Sequence, residues 1–117
     1  MSILLADDDP FLQKVANTIL PKLGACTVHA DGKEALDAYK QQGAGVRLVI
    51  LDVSMPVMDG LEACKQIRIH QKGNGLNCKV IALTGDDDDE MKNNCKSAGF
   101  DNVILKPLTK DKVSAFL

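Results

Sequence analysis

A chain of 117 residues with 45% hydrophobic and 26% charged side chains has the size and balance of one folded domain and excludes disorder. Its formal net charge of −2 and pI near 5.6 supply no sequence-wide basic field, so direct nucleic-acid binding is not expected. No apolar run approaches the roughly 20 residues needed to span a bilayer, and the N-terminus lacks the pattern of a signal peptide, so a cytoplasmic domain without membrane insertion is expected.

The first apolar run, Ile3–Ala6, is too short for a helix and reads as a strand. Asp7, Asp8 and Asp9 follow it. Pro10 suits the first turn of a helix that carries Phe11, Leu12, Val15, Ile19 and Leu23 at helical spacing and stops at Gly24. Cys26–Val28 is a second strand with His29 at its end. Asp31-Gly-Lys-Glu34 resembles a capping box, opening a helix with Ala35, Leu36, Ala38 and Tyr39 that Gly43 closes. Leu48–Leu51 is the third strand, and Asp52 comes next. A second capping box, Asp59-Gly-Leu-Glu62, starts a helix expected to end at Gly73, with His70 near that end. Val80–Leu83 is the fourth strand, with Thr84 after it. The acidic run Asp86–Glu90 reads as the solvated first turn of a helix ending at Gly99. Val103–Leu105 is the fifth strand, followed by Lys106. Only Thr109–Leu117 remains for a fifth helix, a shortness that suggests truncation.

Three of the runs are continuously apolar, the pattern of parallel strands covered on both faces, and should be central. Five β-then-α units with right-handed crossovers predict a flavodoxin-like α/β fold. It is a doubly wound five-stranded parallel sheet in the order 2-1-3-4-5, with helices on both faces and residues 1–117 forming a single domain. Cys26, Cys64, Cys78 and Cys95 are far apart, with no C-x-x-C pair and no histidine spaced to complete a zinc site, so they read as reduced thiols. Cys64 and Cys95 fall where a small buried side chain suits a helix.

In such a sheet, ligands bind outside the carboxyl ends of the strands. The residues there are Asp7, Asp8 and Asp9, then Asp52, Thr84 and Lys106. Carboxylates gathered from different strands repel one another and need a cation. Mg²⁺ fits, because it prefers oxygen ligands, uses one or two carboxylates and leaves room for phosphate. A hydroxyl at Thr84 and an ammonium at Lys106 would then hold the oxygens of a transferring phosphoryl group. For Asp9, ahead of Pro10, capping of the first helix is as good a reading as a metal role.

The ordered set Asp7-Asp8, Leu48-Val-Ile-Leu-Asp52, Met55-Pro56 with Asp59-Gly60, Ile81-Ala-Leu-Thr84 and Lys106-Pro107 resembles the receiver domain of two-component response regulators, over essentially the whole chain. The resemblance implies that Asp52 is the phosphoacceptor, taking a phosphoryl group from a phosphohistidine. It implies Asp8 as a direct Mg²⁺ ligand and Asp7 as a ligand or the holder of a metal-bound water. Asp52 and the Ser54 backbone carbonyl would complete the protein ligands, and Mn²⁺ would substitute. Thr84 would move to the phosphoryl group, Lys106 would pair with Asp52 and then with phosphate, and the Lys106–Pro107 peptide would be cis. The donors it implies are a histidine kinase or a histidine phosphotransfer protein. The isolated domain, a monomer or weak dimer, would catalyse only its own phosphorylation and dephosphorylation, and its parent could be a hybrid histidine kinase.

One position departs from the family. Three residues before the lysine, an aromatic residue is usual, and this chain has Val103. Coupling of Thr84 to an inward-turning ring is therefore not expected, while the phosphoryl chemistry, in which Val103 takes no part, is. Ser54 and Asp86 occupy variable positions beside the site that tune access of the attacking water. Two rival readings are a haloacid-dehalogenase-like Mg²⁺ phosphatase, with Asp7-x-Asp9 as its D-x-D motif, and a receiver-like interaction module that works without phosphorylation. The first expects Thr or Val where Phe11 stands and leaves Asp52 unexplained. The second predicts lost acidic or lysine positions, and none is lost.

Overall fold

A computed structural model describes residues 2–117. Five parallel strands, β1 (Ser2–Ala6), β2 (Ala25–His29), β3 (Val46–Asp52), β4 (Lys79–Thr84) and β5 (Asn102–Leu105), form one sheet in the order β2-β1-β3-β4-β5. Each is followed by a helix: α1 (Pro10–Ile19), α2 (Gly32–Gln42), α3 (Gly60–Asn74), α4 (Asp89–Ala98) and α5 (Lys110–Ser114). The expected doubly wound order is the observed one.

Alternation along the strands explains why their sequences do not alternate between apolar and polar. Leu4, Ala6, Val49, Leu51, Val80 and Ala82 face one core with α2, α3 and α4, whereas Ile3, Leu5, Leu48, Ile50, Ile81 and Leu83 face a second core with α1 and α5. Both faces are dry, so the middle positions of the central strands are all apolar, and polar residues such as Arg47 and Lys79 fall only near their starts. β2, at an edge, is only half-buried, and its sequence is correspondingly more polar. Cys64 and Cys95 are buried in the first core, and burial pushes the Cys64 thiol up to about 12, consistent with the reading of Cys64 and Cys95 as core residues. Among the described residues, no helix is long and apolar enough to cross a membrane.

The caps follow the sequence signals at three helices, and Thr109 adds a cap that those signals did not include. Asp9, Asp31, Asp59 and Thr109 each accept a backbone N–H of the first turn of α1, α2, α3 and α5, with Pro10 at the start of α1. Four expected boundaries shift. α1 ends at Ile19, and Leu20–Lys22, with Pro21 inside it, forms a separate 3₁₀ turn before Gly24. α3 runs through Gly73 and ends at Gly75, which takes the left-handed conformation at φ 64°, because nothing before Asn74 forces the chain out of the helix. Only Asp89 and Glu90 of the acidic run lie in the first turn of α4; Asp88 caps that helix, and Asp86 and Asp87 belong to the preceding loop. The fifth helical segment is shorter than the span available to it, with Thr109 as its cap and five residues in the helix.

Candidate functional site

β3 and β4 each run one residue past their apolar stretch, so Asp52 and Thr84 are the last residues of their strands. The carboxyl ends of β1, β3, β4 and β5 then bring Asp7, Asp8, Asp52, Thr84 and Lys106 to one edge of the sheet, as ligand-binding crevices in open α/β sheets require. One carboxylate oxygen from each of Asp7, Asp8 and Asp52 lies within 4.8 Å of the others.

Asp7 is fully buried at 0% exposure. Its amide donates to His29 O at 3.0 Å, and its Oδ1 accepts the Asp9 amide at 2.9 Å. Among the described residues Oδ2 has no hydrogen-bond donor; the Lys106 Nζ stands 3.3 Å away as an ion-pair partner. Asp8, next in the turn, is exposed. Asp9 is committed to the helix, since its Oδ1 accepts the Phe11 amide at 3.0 Å.

Asp52 is 6% exposed. Its Oδ1 accepts the Ser54 amide at 3.2 Å, and its Oδ2 accepts Lys106 Nζ at 3.2 Å. Burial first, and the Asp7 charge second, push its pKa up to about 6, against the opposing pull of the Ser54 N–H and Lys106. For Lys106, burial works against the ammonium, but the two carboxylates outweigh it and raise its pKa. One lysine thus faces two buried carboxylates and a third at the surface, and an oxygen of Asp7 is left without a donor. That donor set, all carboxylate oxygen and short of positive charge, fits a hard divalent cation.

Thr84 is buried, and its Oγ1 accepts the Asp86 amide at 3.0 Å. The Lys106–Pro107 peptide is cis. Asp8, Asp52, Ser54, Thr84, Asp86 and Lys106 line a crevice of about 540 Å³, with Met91 of α4 as one of its apolar walls. Val103 is half-buried against the first core and lines a different groove, of about 700 Å³, between α4 and β5. His29 contributes its carbonyl to the site through Asp7, while His70 packs edge-on against the Tyr39 ring.

The backbone after Asp52 is built around close approaches. The Gly60 amide donates to Val53 O at 3.0 Å, and a Cβ on Gly60 would lie 2.1 Å from the Asp52 carbonyl oxygen. The Gly32 amide, at the start of α2, donates to Met58 O at 3.0 Å, where a Cβ would come within 2.4 Å. Between them Val57 holds a positive φ of 67° and is 84% exposed. Sequence reasoning missed these contacts, together with Met91 and with Gln13, whose Nε2 donates to the Asp7 carbonyl at 2.8 Å. The only sequence signal for any of them was the Asp-Gly pair at each helix start.

Comparison with known proteins places this geometry. A family model described as response regulator receiver domain matches residues 3–117. The chain is 31% identical to the peroxide stress-activated histidine kinase mak1 of Schizosaccharomyces pombe over 99% of its own length and 7% of that protein. It is 33% identical to the chemotaxis protein CheY of Treponema pallidum, over 95% of this chain and 76% of CheY. Among solved structures it resembles the co-crystal structure of the Saccharomyces cerevisiae histidine phosphotransfer signaling protein Ypd1 and the receiver domain of its downstream response regulator Ssk1, with a TM-score of 0.88, 26% identity, and coverage of 97% of this chain and 83% of that one. It also resembles the receiver domain of the Arabidopsis thaliana histidine kinase CKI1 complexed with Mg²⁺ and BeF₃⁻, with a TM-score of 0.84, 29% identity, and coverage of 96% and 85%. The chain therefore spans a small part of the matching histidine kinase and about three quarters of the matching CheY.

Proposed function

The chain belongs to the response regulator receiver domain family, and from that premise we propose that Asp52 is its phosphoacceptor, charged by a phosphohistidine donor in the presence of Mg²⁺. The observation that carries this reading is the position of the Asp52 carboxylate. It is buried at the end of β3, within 4.8 Å of Asp7 and Asp8 oxygens and 3.2 Å from the Lys106 ammonium.

The step follows from that placement. An Asp52 carboxylate oxygen attacks phosphorus, an O–P bond forms as the P–N bond to the donor imidazole breaks, and the electron pair leaves on the imidazole nitrogen, which takes up a proton. An acyl phosphate remains on Asp52. Ionised Asp52 is the nucleophile; Lys106 first holds its oxygen and then offsets the charge of the phosphoryl group, toward which the Thr84 hydroxyl turns. Asp7, Asp8, Asp52 and the Ser54 carbonyl would hold Mg²⁺, or Mn²⁺ with the same oxygen preference, which would supply positive charge against the phosphoryl oxygens. The oxygens of Asp7 and Asp52 that face Lys106 suit that ligand set.

We read residues 1–117 as one receiver domain, cytoplasmic and monomeric or weakly dimeric, not an enzyme beyond its own phosphorylation and dephosphorylation. Its partner is a histidine kinase or a histidine phosphotransfer protein, and its parent chain is a hybrid histidine kinase, as two Dictyostelium discoideum relatives named hybrid signal transduction histidine kinase are. Val103, without a ring to turn inward, makes the output depend on something other than an aromatic switch. The haloacid-dehalogenase alternative is not favoured, because the second acid of its motif, Asp9, is occupied in capping α1.

The test is labelling with acetyl phosphate or phosphoramidate and Mg²⁺, read by intact mass. The expected result is a gain of one phosphate in the wild type and none in Asp52→Asn. Phosphate trapped on Asp7, or sustained turnover of phosphomonoesters, would sink the reading; a chain that binds Mg²⁺ and gains no phosphate from any donor would make it an interaction module.

A further inference from the structure

Gln13 is tied twice to the acidic turn after β1. Its backbone amide donates to Asp9 O at 3.0 Å as part of the first turn of α1, and its side-chain Nε2 donates to Asp7 O at 2.8 Å. Asp7 lies one residue past the end of β1, beyond the regular ladder, and a buried carbonyl in that position needs a donor. With Gln13 in place, three polar groups of Asp7 are fixed: the amide by His29 O, Oδ1 by the Asp9 amide and the carbonyl by Gln13. Oδ2 is left as the buried oxygen without a donor.

We infer that Gln13 is a positioning residue for the divalent-ion site, its side-chain amide holding the Asp7 carbonyl so that the oxygens of Asp7, Asp8 and Asp52 converge. The inference rests on the reading that these three acids hold Mg²⁺, and it adds a residue outside the ligand set. Gln13 acts on the aim of the acids, not on their charge: it touches Asp7 through the backbone only, and a side-chain amide is a neutral donor. Groups that orient a metal ligand through hydrogen bonds affect metal affinity strongly, about tenfold or more when removed, and Gln13 does so through the backbone of Asp7.

Mg²⁺ titration of the chain, followed by calorimetry or backbone amide shifts, tests this with two variants. Gln13→Met keeps the length of the side chain and removes the donor; its Mg²⁺ Kd should rise about tenfold, measured well below the metal-free melting temperature, which itself falls because the Asp7 carbonyl is left unpaired. Gln13→Glu keeps the shape, replaces the donor by an acceptor and adds a negative charge. Charge alone would tighten Mg²⁺ binding, whereas loss of the donor should weaken it, so the expected sign is weaker. An unchanged Kd in Gln13→Met, or a Gln13→Glu variant that binds as tightly as the wild type or tighter, overturns the inference. A wild type that binds no Mg²⁺ overturns the metal reading beneath it instead.

Discussion

The Lys106 ammonium lies 3.2 Å from Asp52 Oδ2 and 3.3 Å from Asp7 Oδ2, so one cation serves two largely buried carboxylates. Burial, and after it the repulsion between Asp52 and Asp7, which Lys106 only partly offsets, raise the Asp52 pKa to about 6. That repulsion is also what gives a divalent ion something to relieve.

Replacing Asp52 by Asn should therefore stabilise the metal-free fold near pH 7.5. The folded-state pKa of about 6 exceeds the ordinary carboxylate value of 3.8, so the folded state holds a proton that the unfolded chain has already released. Stability is present below the lower value and is lost as pH rises through the upper one. The gain on substitution should be on the order of 1–2 kcal/mol above pH 6 and vanish below about pH 4. Urea unfolding at both pH values in EDTA measures it.

Mg²⁺ should raise the melting temperature of the wild type, and EDTA should reverse the rise. At a concentration of about 100 times Kd the gain is about 2.7 kcal/mol. Because binding needs Asp52 ionised, affinity should fall as pH drops through about 6. A calorimetric titration at pH 5 and pH 7.5 checks the direction.

Gly60→Ala should damage both stability and labelling. The added Cβ would stand 2.1 Å from the Asp52 carbonyl oxygen, a backbone atom that cannot swing away, so either α3 or the end of β3 must shift. A loss of about 2–4 kcal/mol is expected, with phosphate uptake slowed because the carboxylate moves with its backbone. Denaturant melts and intact-mass time courses read the two effects separately.

Val57→Gly should stabilise the domain slightly and leave labelling unchanged. A β-branched residue at φ 67° is strained by roughly 1–2 kcal/mol, and glycine removes the strain while adding about 0.5–1 kcal/mol of unfolded-state entropy. The side chain is exposed, so no packing is lost. The expected net gain is a fraction of a kcal/mol, seen as a rise in melting temperature.

The order of the elements and the identity of the acids could be read from the sequence because both rest on local signals. Continuous apolar runs such as Leu48–Leu51 mark strands covered twice, and Asp31 and Asp59 mark helix starts through short-range caps. What could not be read depends on neighbours far along the chain or on conformation alone. Nothing in the composition near Val57 announces its positive φ. Gln13 looks like any polar residue on a helix until the turn of Asp7 brings a carbonyl to it. The end of α3 was misjudged because two glycines, Gly73 and Gly75, compete for the same role and only the helix geometry selects the later one.

The bond from the Gly32 amide to the Met58 carbonyl constrains how this chain can be lengthened. It fastens the segment after Asp52 to the beginning of a helix from another part of the sequence, with no space for even one added carbon at Gly32. An insertion between Val53 and Asp59 would break that fastening and spread its disturbance to α2, whereas one between Asn74 and Lys79 meets no comparable anchor near the acids. Peptide tags or grafted loops should be carried by the second position and rejected by the first.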